Sequence, residues 1–203
     1  MHILSDTSAE LEVKKSRFIA YLHPCSSEDE AREFFRTVRK MHSDATHVCT
    51  AIRIGDLERS NDDGEPSGTA GHPMLAVLQN RNIDQIAAAV VRYFGGTLLG
   101  TGGLVRAYSG ALGDALDSVS LYEKKILPTW ILKVPASQIG KAENWIYSNE
   151  VELLSSEYED GAIYHFAMEE DPREMLGSVF RDQMDLERGA DMQSDVEVKG
   201  GNA

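Results

Sequence analysis

The chain of 203 residues is poor in several things at once. It has two cysteines, Cys25 and Cys49. They form no CxxC pair, so neither a zinc ribbon nor a disulfide scaffold is legible. No apolar run approaches the ~18 residues that a membrane-spanning helix needs. The first fifteen residues, MHILSDTSAELEVKK, lack the basic start and apolar centre of a secretory leader. These absences together lead to the expectation of a soluble cytoplasmic protein with reduced thiols and no membrane partner.

Positive charge is also scarce. There are 20 Lys plus Arg against 33 Asp plus Glu, a formal net charge of −13. The imbalance is uneven. Residues 1 to 125 hold 17 acids and 14 bases, or −3, and residues 126 to 203 hold 16 acids and 6 bases, or −10. Phosphate-backbone binding needs Lys and Arg that displace counterions. The C-terminal part is therefore a poor candidate for it, and any nucleic-acid contact is expected on the N-terminal part. A protein partner with a basic surface suits the overall charge better.

What is present centres on residues 83 to 110, IDQIAAAVVRYFGGTLLGTGGLVRAYSG. An apolar run from Ile86 to Val91 leads through Arg92, Tyr93 and Phe94 into Gly95, Gly96, Gly100, Gly102 and Gly103, five glycines in nine positions. Leu104, Tyr108, Ala111, Leu112 and Ala115 then recur at helical spacing. The pattern predicts a buried strand, a glycine-rich loop and a helix running to about residue 120. Successive amides in such a loop, next to a helix start, can cradle an anion, with Arg92 and Arg106 beside it. The same glycines also suit a tight strand-to-helix turn that binds nothing. The spacing is neither the phosphate loop, since no Lys-Ser or Lys-Thr follows, nor GxGxxG.

The rest of the N-terminal half predicts strands over residues 2 to 24, with the basic pair Lys14 and Lys15 and then Arg17 near the sheet edge. A helix follows Ser26 or Ser27. It has acids in its first turn, Phe34, Phe35, Val38 and Met41 on its apolar face, and Arg36, Arg39 and Lys40 on a solvated one. Residues 46 to 54 form a strand that turns His47 and Cys49 to one face and Val48 to the other. Two potential ligands on one strand, without further cysteines nearby, do not make a metal site. Residues 55 to 71 are expected as one long polar loop in which Asp62, Asp63, Glu65 and Ser67 sit among glycines. A calcium loop is excluded by its spacing. Three readings of that loop stand: a binding loop facing Arg92 and the glycine loop, a solvated turn whose acids do nothing, or a loop that an Arg92–Asp63 pair merely fastens.

In the C-terminal half, residues 121 to 127 are expected as a linker. The order that follows is strand, helix, strand, strand, helix, strand, with the last strand over residues 189 to 198. That βαββαβ order is the split motif of ferredoxin-like domains.

Four ordered blocks carry a family resemblance: KKSRFIA (14 to 20), THVCTAIRI (46 to 54), DDGEPSGTAGHPML (62 to 75) and RYFGGTLLGTGGLVRAY (92 to 108). Their order and spacing resemble the IMPACT/YigZ family. The resemblance implies an α+β protein of two two-layer domains. Residues 1 to 125 would be similar to the second domain of ribosomal protein S5. Residues 126 to 203 would be ferredoxin-like and similar to the last domain of elongation factor G. That factor carries the same two folds in its final two domains. The resemblance implies a ribosome- or RNA-associated role or translation regulation. The reading expected from it and from the residues is a non-enzymatic binding module with the ribosome, RNA or a translation-related protein as partner, and no cofactor, metal or catalytic group is expected.

The residues expected to contact a ligand or RNA are Lys14, Lys15, Arg17, His47, Arg53, Asp62, Asp63, Glu65, Ser67, Arg92, Tyr93, Phe94, Gly95, Gly96, Gly100, Gly102, Gly103 and Arg106. Tyr93 and Phe94 would stack on bases. The alternative is an enzyme acting on a small nucleotide or phosphorylated ligand, with Asp62, Asp63 and Glu65 as base or metal ligands and the glycine loop on phosphate.

Overall fold

The structure is a computed structural model that describes residues 1–149, 151–181 and 183–198. It divides into two compact units: Met1–Glu123, joined by Glu197 and Val198, and Lys124–Val196. Helices and strands are mixed in open sheets, as an α+β chain requires. No helix among the described residues is long and apolar enough to cross a membrane.

The first unit holds β1 (Thr7–Val13), β2 (Ser16–Pro24), α1 (Glu28–Met41), β3 (His47–Ile54), β4 (Leu57–Asn61), α2 (Gly71–Asn80), β5 (Ile86–Tyr93) and α3 (Thr101–Asp117). The strands form one antiparallel sheet in the order β1-β2-β5-β3-β4. The unbroken apolar run of β5 is explained by its place. It is the middle strand and every residue from Ile86 to Arg92 is buried. A strand covered on both faces needs no polar alternation.

The two faces have different covers. Ile86, Ala88 and Val90 of β5, with Phe18, Ala20, Leu22, Cys49 and Ala51, pack against α2 and α3 through Met74, Leu78, Leu104, Tyr108 and Leu112. Ala89 and Val91, with Ile19 and Val48, face Val38 and the two phenylalanines of α1. Helices therefore lie on both sides of this sheet, a third layer that the two-layer expectation lacks. The apolar stripe of α1 is also the reason: it is wide enough to need a face of its own.

Local signals set the ends of the elements. Ser27 Oγ accepts from Glu30 N, while the Glu30 carboxylate accepts from Ser26 N at 2.7 Å, so two donors at the start of α1 are satisfied reciprocally. β1 and β2 are joined by Lys14 and Lys15, both with positive φ, 47° and 68°. That pair of angles matches the twist of a two-residue hairpin but is unusual for lysine.

β4 is a correction: residues 57 to 61 are a strand, not loop. LERSN forms the sheet edge with three of its five residues exposed, so it has no apolar alternation to betray it.

The second unit contains β7 (Thr129–Pro135), a 3₁₀ turn (Ala136–Gln138), α4 (Ile139–Ser148), β8 (Glu152–Tyr158), β9 (Gly161–Ala167), α5 (Arg173–Phe180) and β10 (Asp185–Arg188), while β6 (Tyr122–Leu127) and β11 (Met192–Glu197) run across the division between the units. β10, β7, β9 and β8 form a four-stranded antiparallel sheet in that order. Trp130, Leu132, Tyr164 and Phe166 pack on Trp145, Leu176 and Phe180 of the two helices. The expected βαββαβ order is present, with two corrections. Its last strand is β10, not residues 189 to 198. The supposed linker at 121 to 127 is β6, which pairs with β11 in a separate two-stranded sheet. Ile126 is 74% exposed, so β6 carries no apolar signal.

A candidate binding cleft floored by a buried ion pair

In the first unit, register places three side chains abreast. Arg92 of β5 lies between Phe18 of β2 and His47 of β3. All three stand at the same end of the sheet, on the face that carries α2 and α3. Glu65 arrives from the loop between β4 and α2. Its Oε1 accepts from Arg92 Nη1 at 2.6 Å and from the Tyr108 hydroxyl of α3 at 2.8 Å. Its Oε2 is 3.8 Å from His47 Nε2. Arg92 is 5% exposed and Glu65 8%. The Arg92 guanidinium also lies 5.5 Å from the ring centres of both Phe18 and Phe94. A charge this deep stands only when paired, and Glu65 supplies the pair. Burial pushes the Tyr108 hydroxyl far above its usual range, so it stays a proton donor.

The two aspartates before Glu65 build the loop that delivers it. Asp62 Oδ1 accepts from Ala70 N at 3.1 Å and Gly71 N at 2.8 Å, and its Oδ2 from Gly68 N at 2.7 Å. It thereby caps α2, whose own N-cap, Ala70, has no side chain to do so. Burial pushes the Asp62 carboxyl up, but those three amides outweigh it and hold it below its ordinary value. Asp63 takes Arg39 in two bonds of 3.0 Å and Val48 N in one of 2.7 Å. Its carboxyl is likewise depressed, with burial opposed by Arg39 and the Val48 amide. The Asp63 carbonyl accepts from His47 Nδ1 at 2.7 Å, which fixes the imidazole with Nε2 toward Glu65.

Above this floor is a cleft of about 430 Å³. Its walls are largely apolar: Pro66, Phe94, Leu98, Leu99 and Leu104, with Thr46 just before β3 and Gly100 and Thr101 at the start of α3. Phe94 is 45% exposed and Leu98 84%. Gly95 holds the loop down. A Cβ there would fall 2.1 Å from the Lys15 carbonyl, so only glycine lets the glycine loop rest on the β1–β2 turn. Gly95 N also donates to Ser16 Oγ at 3.1 Å.

The expected residues sort as follows. His47, Glu65, Arg92, Phe94 and Gly100 line the cleft. Asp62 and Asp63 support it from behind. Lys14 and Lys15 are exposed at the turn under Gly95, and Gly96 is exposed in the loop. Gly102 and Gly103 are not loop but the first turn of α3, with Arg106 exposed one turn further on. Ser67 is exposed on the delivering loop.

Three expectations are corrected. Arg53 lies six residues from His47 along β3, roughly 20 Å away, and is tied to Glu58 and the Ile83 carbonyl. Tyr93 turns to the α1 face, where its hydroxyl meets His42 Nδ1 at 2.8 Å; Arg17, paired with Glu10, lies 5.6 Å over its ring. It therefore does not stack beside Phe94. Arg92 pairs with Glu65, not Asp63, and is closed to solvent. Among the described residues no group of three or more His, Cys, Asp or Glu is placed to hold a metal.

The sequence missed Arg39, which looks like any base on a solvated helix face, and Tyr108, which looks like core. Leu98 and Leu99 did carry a signal: two leucines in a glycine loop with no element to bury them. Both cysteines are buried and free. Burial first pushes Cys25 to about 11 and Cys49 to about 12. Neither is a nucleophile for the cleft.

These four sequence blocks, now seen to meet in one site, coincide with a known domain. The profile of the Impact N-terminal domain matches residues 14–116. The chain belongs to the IMPACT family. The IMPACT family member YvyE of Bacillus subtilis is 40% identical over 164 residues, covering 79% of this chain and 76% of that one. YigZ of Escherichia coli is 39% identical over 162 residues, covering 77% and 79%. A crystal structure of a protein described only as hypothetical is 34% identical, with a TM-score of 0.59, covering 91% of this chain and 94% of that one. The relatives thus extend well past the matched domain into the second unit.

Proposed function

We propose that this IMPACT-family chain is a non-enzymatic binding module that engages a protein component of the translation apparatus through the rim of the cleft. The observation that carries the reading is a division of labour. Every carboxylate of the DDGE segment is held by backbone amides, arginines or a tyrosine, which leaves no free base, while Phe94 and Leu98 stand exposed on an apolar rim. Exposed aromatic and aliphatic side chains around a concave site suit partner anchoring. The formal charge of −13 argues against naked RNA and for a polypeptide with basic surroundings. Lys14, Lys15, Arg17 and Arg106 are solvent-facing bases of the signature blocks, with Arg17 paired to Glu10.

Co-sedimentation with ribosomes across a salt series tests this. The comparison is wild type, a rim variant (Phe94→Ser with Leu98→Ser) and a turn variant (Lys14→Glu with Lys15→Glu). Loss of pelleting in the rim variant, with only shallow salt dependence, supports protein docking. A steep salt slope with loss confined to the turn variant would instead mean phosphate contacts. Absence of pelleting at low salt would remove the ribosome as the partner.

A further inference from the structure

The four-stranded sheet of the second unit has a covered face and an open one. Trp130, Leu132, Tyr164 and Phe166 point to α4 and α5 and form the core. Their neighbours in β7 and β9 point the other way. Register sets these in rows across the four strands. Asp185, Lys133, Ile163 and Glu157 stand in one row, and Glu187, Ile131, His165 and Ser155 in the next. Ile131 and Ile163 are diagonal neighbours at the middle of this face. They are half-buried and belong to no core cluster among the described residues. A sheet face that only meets water reads polar at such positions.

The charges on this face are ordered as well. Carboxylates occupy both edge strands, Asp185 and Glu187 on β10 and Glu157 on β8, and the turn after β8 adds Glu159 and Asp160. Lys133 leans to the β10 edge, where its Nζ lies 2.7 Å from Glu187 and 3.7 Å from Asp185. One lysine does not neutralise two acids. Glu157, Glu159 and Asp160 have no ion-pair partner among the described residues. At its Pro135–Gly161 end the face opens into a groove of about 680 Å³, whose lining includes Glu157, Asp160, Ile163 and Asp185.

We propose that this face docks a basic amphipathic α-helix of a partner polypeptide, its narrow apolar stripe on Ile131 and Ile163 and its flanking Lys or Arg residues on the two acidic edges. Three inter-strand spacings separate β10 from β8, about 14 Å. A helix with its side chains is about 10–12 Å wide. One helix lying along β7 and β9 therefore fills the strip, and the long stems of its lysines and arginines carry the charges to both edges. Charge selects the occupant. Residues 126 to 203 carry −10, which repels a nucleic-acid backbone and a second copy of this face alike. An extended strand would add along an edge and leave the isoleucines uncovered. The docked helix gives this sheet a cover on each side, as the sheet of the first unit already has. Nothing in this docking depends on the cleft of the first unit.

The test titrates the full chain with the peptide LAQIKAKLAQIKAKLAQIK, whose leucines and isoleucines form one helical stripe flanked by lysines. Its controls are a shuffled peptide of the same composition, the same peptide with every Lys replaced by Glu, and polyuridylate. Amide shifts locate the binding, and circular dichroism follows helix formation by the peptide. The lysine peptide is expected to shift Ile131, Ile163 and His165 and to gain helix as it binds. The shuffled peptide, which keeps the charge and loses the stripe, should bind about tenfold more weakly, and the Glu peptide and polyuridylate should not bind. Asp185→Lys with Glu157→Lys, one exposed residue on each edge, should weaken the lysine peptide at least fivefold, the upper range for one exposed charge pair. Ile131→Ser with Ile163→Ser should weaken it about tenfold; if that pair disturbs folding, the shuffled peptide makes the same comparison on the wild-type chain. Equal affinity for the lysine and shuffled peptides would overturn the helix and leave an acidic surface that attracts any cation. Shifts of Ile131 and Ile163 by polyuridylate would overturn the choice of a polypeptide. Failure of the lysine peptide to shift Ile131, Ile163 or His165 would overturn the docking face, while the rim variant judges the cleft separately.

Discussion

At the residue scale, Arg92 and Glu65 decide whether the site exists. Each is buried, and each is tolerable there because of the other. Replacing one alone leaves an uncompensated charge in the floor, which costs about 3–5 kcal/mol, whereas replacing both by apolar groups costs less than the sum. Chemical denaturation of Arg92→Met, Glu65→Leu and the double variant should therefore show strong non-additivity. Additive losses would mean that the pair is not coupled. The pairing itself was not legible in the sequence. Arg92 was visible as a flank of the glycine loop and Glu65 as one acid among three, but spacing cannot say which acid an arginine meets. Asp63 was the expected partner, and Arg39, a residue with no distinguishing context, holds it instead. His47 was placed on the correct face by strand alternation alone, because its parity matches Cys49 and not Val48.

At the scale of elements, the hairpin between β1 and β2 carries a measurable strain. Lys14 and Lys15 both occupy the left-handed region, where a side chain costs of order 1 kcal/mol each. Substituting Asn at 14 and Gly at 15, the residues that this turn favours, should raise stability by about 1–2 kcal/mol in equilibrium unfolding. No gain would show that the turn is not strained as described. The same elements were easy or hard to foresee for physical reasons. β5 and α3 announce themselves through an apolar run and a 3.6-residue period. β4, β6 and β11 sit at edges or in a two-stranded sheet, bury little, and so leave no pattern in LERSN, YEKKIL or MQSDVE. The third layer escaped notice because periodicity shows that a helix has an apolar face but not which side of a sheet receives it.

At the scale of the molecule, acid sensitivity should trace to the loop that carries the site. Asp62 and Asp63 both have folded-state values below the ordinary aspartate value. A depressed carboxyl contributes stability above its unfolded value, near 3.9, and loses it as pH falls through the folded one. Wild-type stability should thus fall as pH drops below about 4, and Asp62→Asn should flatten that loss while lowering stability at pH 7 by removing the cap on α2. An Asp62→Asn profile parallel to wild type would contradict the assignment. The isoelectric point near 4.8 lies above this window, so below pH 4 a growing net positive charge adds self-repulsion in the same direction, and the difference between wild type and Asp62→Asn isolates the part that the aspartate contributes.

The most direct measurement of the central claim, that the cleft rim docks a protein of the translation apparatus, is photocrosslinking from position 98. A benzoylphenylalanine replacing Leu98 would be irradiated in a translating extract, beside the same group replacing Tyr147, a residue of the second unit that is 81% exposed. The account predicts an adduct from position 98 with a ribosomal protein or translation factor, competed away by unlabelled wild-type chain and absent from position 147. An adduct with RNA alone, or the same adducts from both positions, would contradict it.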